Sequence, residues 1–361
     1  MTAARHPTRR LALGGLAIGG GAPVSVQTMT KTDTRDVAAT VAQIREAAAA
    51  GADIVRLAVP DAAAADALRE IRRQAVVPLV ADIHFDFRLA LAAVAAGADG
   101  LRINPGNIGG ADRVRAVADA CRPRRLPIRI GVNAGSLDRA ILARHGAATA
   151  EALVESALEH VALLEAAGFE EIKISVKAAD VPRTIAAYRL LAQRTRYPLH
   201  LGVTEAGTFL AGTVRSCAAL GVLLAEGLGD TLRVSLTAPP VEEVRVGVEL
   251  LRAFGLRAPG AAVTSCPTCG RTQVDVGAVA AEIERRLEAH YRAHPEAPRP
   301  RVAVMGCVVN GPGEAREADI ALAGGRGTFA LFVRGRQTAV LPASEAVEKV
   351  VALATEWRQD A

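Results

Sequence analysis

From Val24 onward, short apolar runs alternate with amphipathic, alanine-rich segments. The runs predict strands over 24–26, 54–57, 79–83, 101–104, 128–132, 172–176, 199–203 and 232–236. Between them, stretches such as DVAATVAQIREAAAA, FRLALAAVAA, AEALVESALEHVALLEAA and VEEVRVGVELLRAF carry the helical period. Several stop at a glycine just before the next strand: Gly51, Gly97, Gly168 and Gly227. AAGADIVRLAV, AAGADGLRINP and AAGFEEIKISV share one plan of helix end, glycine, acidic residue and strand. Strands alternating with helices predict a parallel sheet, and eight units predict a closed (β/α)8 TIM barrel. An open doubly wound sheet is the competing arrangement. No Gly-x-Gly-x-x-Gly follows the first strand, and the count of eight favours closure.

After Gly255 the pattern breaks at RAPGAA. The expected division is a substrate-binding barrel over 1–258 and a second domain over 259–361. The second reads as a strand, SCPTCGR, a helix over 276–290, a PEAPRP linker, the strand VAVMG, the loop CVVNGPGEA, two more strands and a final helix. That is a small α+β domain, so the fold class is α/β barrel followed by α+β. At the other end, Arg9 and Arg10 precede an apolar stretch and loosely resemble a twin-arginine export signal. The stretch is glycine-rich and runs without a linker into folded sequence. A hairpin of LALGG and LAIGG is therefore expected, in a cytoplasmic protein.

Half of the 361 residues are hydrophobic and only 3% aromatic, so the core must be built from Ala, Val, Leu and Ile. The net charge of +5 and pI of about 9.2 raise the question of nucleic acid. Only Lys31, Lys173, Lys177 and Lys349 are lysines, and the arginines are spread without a like-charge block or aromatic interleaving. A solvated basic surface is the better reading, and no nucleic-acid partner is expected. No uninterrupted apolar run is long enough to span a bilayer, so no membrane association is expected.

Packing does not explain one feature of the strands. Arg56, Arg102, Arg129, Lys173, His200 and Arg233 each sit within a strand between apolar neighbours. Side chains alternate along a strand, and helices cover the outside of a barrel, so these basic residues should point inward. A lone buried Arg is costly unless paired. Salt bridges to Asp82 and Glu205 account for one or two of the six. An anionic ligand, phosphate or diphosphate, is the natural partner of the rest. Asp82, His84, Asn104, Asn107, Asn133 and Glu205 lie at or just past strand ends, where barrel active sites are assembled.

Of the five cysteines, Cys121 and Cys217 are isolated on helical segments and read as small core residues. Cys266 and Cys269 form Cys-x-x-Cys after a short strand, and Cys307 opens a glycine-rich loop after another. An odd trio argues against disulfides and for a metal site. A structural zinc site closes with a fourth Cys or His, and none stands at suitable spacing. That favours an iron–sulfur cluster with an unusual fourth ligand. Glu314, in the same loop as Cys307, is either that ligand or a solvated loop acid.

The sequence resembles the 4-hydroxy-3-methylbut-2-enyl diphosphate synthases of the methylerythritol phosphate route to isoprenoids. The resemblance runs nearly end to end through VSVQTMT, VPLVADIHFDFRLAL, LRINPGNIG, LPIRIGVNAGSL, KISVKA, LHLGVTEAGT, GDTLRVSLT, SCPTCGRT and MGCVVNGPGEA. It implies the bacterial two-domain type, an oxidoreductase that opens the ring of 2-C-methyl-D-erythritol 2,4-cyclodiphosphate by two-electron reduction with loss of water. It implies a 4Fe-4S cluster on Cys266, Cys269, Cys307 and Glu314. The implied substrate pocket is Arg56, Asp82, His84, Arg102, Asn104, Arg129, Asn133, Lys173, His200, Glu205, Arg233 and Ser235. Glu205, His84 and Glu314 are the implied candidates for protonating the leaving oxygen. Reduced flavodoxin or ferredoxin would be the electron donor, and the assembly a head-to-tail homodimer. KAAD stands where KASD is usual, and DIALAGG where DIGIAGG is common, and neither touches a proposed ligand. Rival readings of the same residues are a zinc-stapled phosphosugar lyase and a zinc-ribbon RNA binder.

Overall fold

A computed structural model describes residues 3–307, 313 and 317–358. The chain divides into two compact units between Arg257 and Ala258.

In the first unit, strands β1 (Leu11–Leu13) and β2 (Leu16–Ile18) form an antiparallel hairpin. Eight parallel strands follow: β3 (Ser25–Met29), β4 (Ile54–Ala58), β5 (Leu79–Asp82), β6 (Gly100–Ile103), β7 (Ile128–Asn133), β8 (Ile172–Lys177), β9 (His200–Leu201) and β10 (Thr231–Leu232). Each pairs with its neighbour in sequence, β10 pairs with β3, and an Ile174–Leu199 bridge joins β8 to β9 and closes the ring. The last two strands are shorter than their apolar runs. Beyond Leu232 the chain leaves the ladder, and the Leu236 N–H turns to the Glu243 carboxylate instead (3.1 Å).

The intervening helices are α1 (Val37–Ala49), α2 (Ala62–Gln74), α3 (Phe87–Ala95), α4 (Pro105–Ile108), α5 (Ala111–Cys121), α6 (Arg139–His145), α7 (Ala150–Ala166), α8 (Val181–Arg194), α9 (Phe209–Ala225) and α10 (Pro240–Ala253). Asp36, Asp61, Asp86 and Asp180 cap α1, α2, α3 and α8 by accepting a first-turn N–H. Outward strand residues such as Val55, Leu57, Ala81, Leu101, Ile103, Ile128 and Ile130 share one buried cluster with Ile44, Leu68, Ile71, Leu153 and Leu191 of the helices.

An acid just before three of the strands has a structural role. Asp53, Asp99 and Asp230 accept the backbone N–H of Val26 (2.7 Å), Leu79 (2.8 Å) and Leu199 (2.8 Å), each on a neighbouring strand. Arg257, Arg72 and Arg5 pair with those three carboxylates. At this same end, Leu11, Leu13 and Ile18 of the hairpin pack on Ile54 and Val80. These two lie two residues before Arg56 and Asp82 on the same strand face, so the hairpin plugs the lumen from below.

The second unit holds a sheet in the order β11 (Val263–Ser265), β12 (Val302–Met305), β13 (Ile320–Gly324), β14 (Thr328–Val333), β15 (Arg336–Pro342). The first three are parallel and the last two antiparallel. Helices α11 (Val276–Ala293) and α12 (Ala343–Thr355) contribute Ile283, Leu287 and Val350 to a core with Val302, Val304, Ile320 and Leu331. Three strands follow the CVVNGPGEA loop where the apolar pattern suggested two. The hidden corner is Arg334–Gly335, both at positive φ, a two-residue turn made without an Asn-Gly or Asp-Gly signal. Among the described residues, no helix is long and apolar enough to cross a membrane.

Candidate active site

The barrel lumen is built by alternation. On β7 and β8 the apolar residues Ile128, Ile130, Val132, Ile172, Ile174 and Val176 face the helices, which leaves Arg129, Gly131, Asn133, Lys173, Ser175 and Lys177 facing inward. By register, Asp82 stands beside Arg102, Arg102 beside Arg129, and Arg129 beside Lys173. Arg102, Arg129, Lys173 and His200 are all buried, and Arg56 and Arg233 nearly so.

Two carboxylates answer these charges. Asp82 lies 3.2 Å from Arg102 and 3.7 Å from Arg56, and its acidity is increased because these cations and Arg129 outweigh the cost of its burial. Glu243, from the first turn of α10, accepts from Arg233 (3.2 Å), Lys31 (3.2 Å), the Thr28 hydroxyl (2.9 Å) and the Leu236 N–H. The strand pattern gave no hint of Glu243, since it reaches the lumen from a helix.

Among the described residues, the remaining cations form no ion pair with a carboxylate. Arg129 donates to Ser175 Oγ, while its Nε and second Nη, Lys173 Nζ and His200 Nε2 are buried without a partner among the described residues. Burial, reinforced by Arg129, pushes the Lys173 ammonium down to about 7. Burial and the surrounding arginines push Lys177 and Arg129 well below their ordinary values. His200 is driven the same way, well below 6.5, so it stands neutral at pH 7 and is not one of the lumen's charges. This corrects the count of six strand cations. Lys177 is a basic lumen residue that the six had missed, one whose charge a bound anion would favour, and the signal for it was available: positions 173, 175 and 177 share one face. Two glycines make the room. A Cβ at Gly131 would lie 2.5 Å from Arg102 Nε, and one at Gly202 would lie 2.3 Å from Lys177 Nζ.

The strand-end residues lie at or just past the C-terminal ends of the barrel strands. His84 is exposed, with Nε2 3.7 Å from Asp82 and Nδ1 3.5 Å from Arg102. Asn104 is buried, Asn133 and Ser235 are half-buried, and Asn107 and Glu205 are exposed. Glu205 holds a φ of +52°, a conformation that costs a non-glycine residue free energy.

In the second unit, β11 and β12 are parallel neighbours, so the residues after them emerge side by side. Cys266 N–H donates to Val304 O (3.1 Å), and Gly306 N–H donates to Cys266 Sγ (3.2 Å). Cys307 follows directly, half-buried, and Cys269 is exposed. Among the described residues no three Cys, His, Asp or Glu are gathered closely enough to hold an ion, and Glu314 lies outside the described residues. Cys121 is buried on α5 and burial pushes its thiol up to about 12. The thiol of Cys217 is also raised by burial, as expected of core cysteines.

The chain matches the family model described as the GcpE TIM-barrel domain over residues 8–248 and that of the GcpE protein C-terminal domain over 262–356. It is 57% identical over 345 residues, 96% of each chain, to the 4-hydroxy-3-methylbut-2-en-1-yl diphosphate synthase (flavodoxin) of Geobacter sulfurreducens. The protein of the same name from Ruminiclostridium cellulolyticum is 52% identical over 96% of this chain and 97% of its own. That of Maridesulfovibrio salexigens is 57% identical over 92% and 91%. Both units of the fold and nearly every residue of the lumen fall within these matches, and the chain belongs to the GcpE family of 4-hydroxy-3-methylbut-2-en-1-yl diphosphate synthases.

Proposed function

We propose that this protein reduces 2-C-methyl-D-erythritol 2,4-cyclodiphosphate to 4-hydroxy-3-methylbut-2-enyl diphosphate, with loss of water. The observation that carries the reading is the buried set of lumen cations that form no ion pair with a carboxylate among the described residues, Arg129 and Lys173 above all. A diphosphate supplies that missing charge and accepts bidentate guanidinium bonds.

Arg102, Arg129, Lys173, Lys177 and Arg233 bind the phosphoryl oxygens. Asp82 holds Arg102 and Arg56 in place, and Glu243 holds Arg233, so their guanidinium groups are oriented before the ligand arrives. His84 and Glu205, exposed at the strand ends, are placed to protonate the leaving oxygen, with Glu314 a third candidate.

The donor set of the second unit suits iron and sulfide. Three thiols come from two adjacent loops, and a backbone N–H already points at one sulfur. Cys266, Cys269 and Cys307, with Glu314 as the fourth ligand, would hold a 4Fe-4S cluster, which when bound supplies electrons one at a time. Reduced flavodoxin is the donor that the relatives' names support. The reading also places the protein in the cytoplasm, as a head-to-tail homodimer. Dimerisation in which both units serve one site is tested by mixing Arg102→Ala with Cys307→Ser chains, where exchange should restore activity.

The test of function is anaerobic reconstitution with iron and sulfide, followed by reduction in the presence of the cyclodiphosphate. A linear allylic diphosphate is the expected product. Unchanged substrate beside a fully loaded, reduced protein would refute the assignment.

A further inference from the structure

Thr272 lies outside every proposed ligand set, yet it joins the two cysteine loops. Its Oγ1 accepts the Cys269 N–H (3.0 Å), and its own N–H donates to Cys269 O (2.9 Å), closing the turn from Cys269 to Thr272. The next residue, Gln273, donates its N–H to Gly306 O (3.2 Å). A Cβ on Gly306 would sit 2.9 Å from Thr272 Cγ2, 3.0 Å from its Oγ1 and 3.0 Å from Val276 Cγ2, so the threonine side chain and Val276 both rest on the Gly306 α-carbon. Gly306 N–H in turn donates to Cys266 Sγ at 3.2 Å. One continuous path therefore runs from Cys269 through Thr272 and Gly306 to Cys266. The loop it fixes is strained, for Thr268, a β-branched residue, sits at φ +65° between the two thiols.

We propose that Thr272 is a positioning residue for the thiol site, closing the Cys269 turn and seating the Gly306 N–H on the Cys266 sulfur. The inference rests on the iron–sulfur reading above and adds to it a residue that touches no iron. An N–H bond to a ligating sulfur draws electron density from it, which raises the reduction potential and slows ligand loss. Valine at 272 keeps the shape but leaves the Cys269 N–H without its acceptor. Alanine at 306 drives a methyl into Thr272 and moves the N–H off the sulfur.

The experiment uses the full chain, anaerobically reconstituted, and reads midpoint potential and the rate of iron transfer to a chelator. Thr272→Val should shift the potential downward and release iron about tenfold faster. Thr272→Ser, which keeps the hydroxyl, should stay at the wild-type potential and rate. Gly306→Ala should behave like Thr272→Val, and adding Thr272→Ser, which removes the nearest of the three atoms that the new methyl would meet, should return part of the loss. Should Thr272→Val fail to fold, this Gly306→Ala pair decides the question alone. A Thr272→Val protein with unchanged potential and iron release would overturn the inference, as would a Thr272→Ser protein as impaired as Thr272→Val. A wild-type chain that takes up no iron would remove the cluster reading and this inference together.

Discussion

Arg102 and Arg129 are direct register partners on the adjacent parallel strands β6 and β7, with both side chains in the same buried lumen. Like charges directly opposite on neighbouring strands destabilise a sheet. Arg102 has Asp82 as a partner, whereas among the described residues Arg129 has only the Ser175 hydroxyl as a hydrogen-bond partner. The arrangement opposes folding and favours anion binding.

That conflict predicts a trade. Arg129→Met should stabilise the ligand-free protein, because replacing a buried uncompensated charge with an apolar residue is worth about 1–4 kcal/mol. The melting temperature should rise, and added pyrophosphate should protect the variant much less than the wild type. A lower melting temperature without ligand would show that Arg129 is structurally compensated.

Lys177 should be lost to ligand binding in two ways. Lys177→Met removes the charge, and Gly202→Ala leaves the charge but fills the space 2.3 Å from Nζ. Each should weaken pyrophosphate binding by about tenfold, the value of one charge-assisted bond. Calorimetric titration decides, and a Lys177→Met chain with wild-type affinity would remove Lys177 from the site.

Lys173 sets a pH dependence. Burial comes first among the causes, followed by repulsion from Arg129 and, more weakly, Arg56, with Asp230 opposing, and its ammonium falls to about 7. The unfolded side chain titrates near 10.5, so between those values the unfolded state binds more protons. Lys173 therefore makes stability rise with pH across that window and costs stability below it. An anion favours the charged form, so anion affinity should fall as pH rises above 7, with proton uptake on binding. Calorimetry in buffers of different ionisation heat measures that uptake. Lys173→Met should reduce it, with Lys177 supplying what remains, and an uptake unchanged in Lys173→Met would assign it wholly to another group.

Much of this was legible in the sequence because alternation is a strict rule. It located all eight barrel strands and put Arg56, Arg102, Arg129, Lys173 and Arg233 on the inner face. Glu243 was invisible because its position on α10 follows from where the helix docks, which no strand period reports. The neutrality of His200 was invisible because it depends on burial among neighbouring cations from three other strands. The third strand after the Cys307 loop was hidden by the Arg334–Gly335 turn. For the thiol site, spacing named Cys266, Cys269 and Cys307, but Thr272 became visible only through its contacts with Cys269 and Gly306.

The cysteines divide by role. Cys266→Ser, Cys269→Ser and Cys307→Ser should each yield protein poor in iron and sulfide, while Cys121→Ala and Cys217→Ala should load fully. Glu314→Gln should load and lose most turnover. Full iron and sulfide content in a triple serine variant of 266, 269 and 307 would dismiss the thiol site.

The central claim is that the unpaired lumen cations are the binding site of a diphosphate. A crystal structure of this chain with 2-C-methyl-D-erythritol 2,4-cyclodiphosphate tests it most directly. The account predicts phosphoryl oxygens within about 3 Å of the Arg129, Lys173 and Lys177 nitrogens, the distance of charge-assisted hydrogen bonds. A cyclodiphosphate bound elsewhere, with only water among these three side chains, would contradict it.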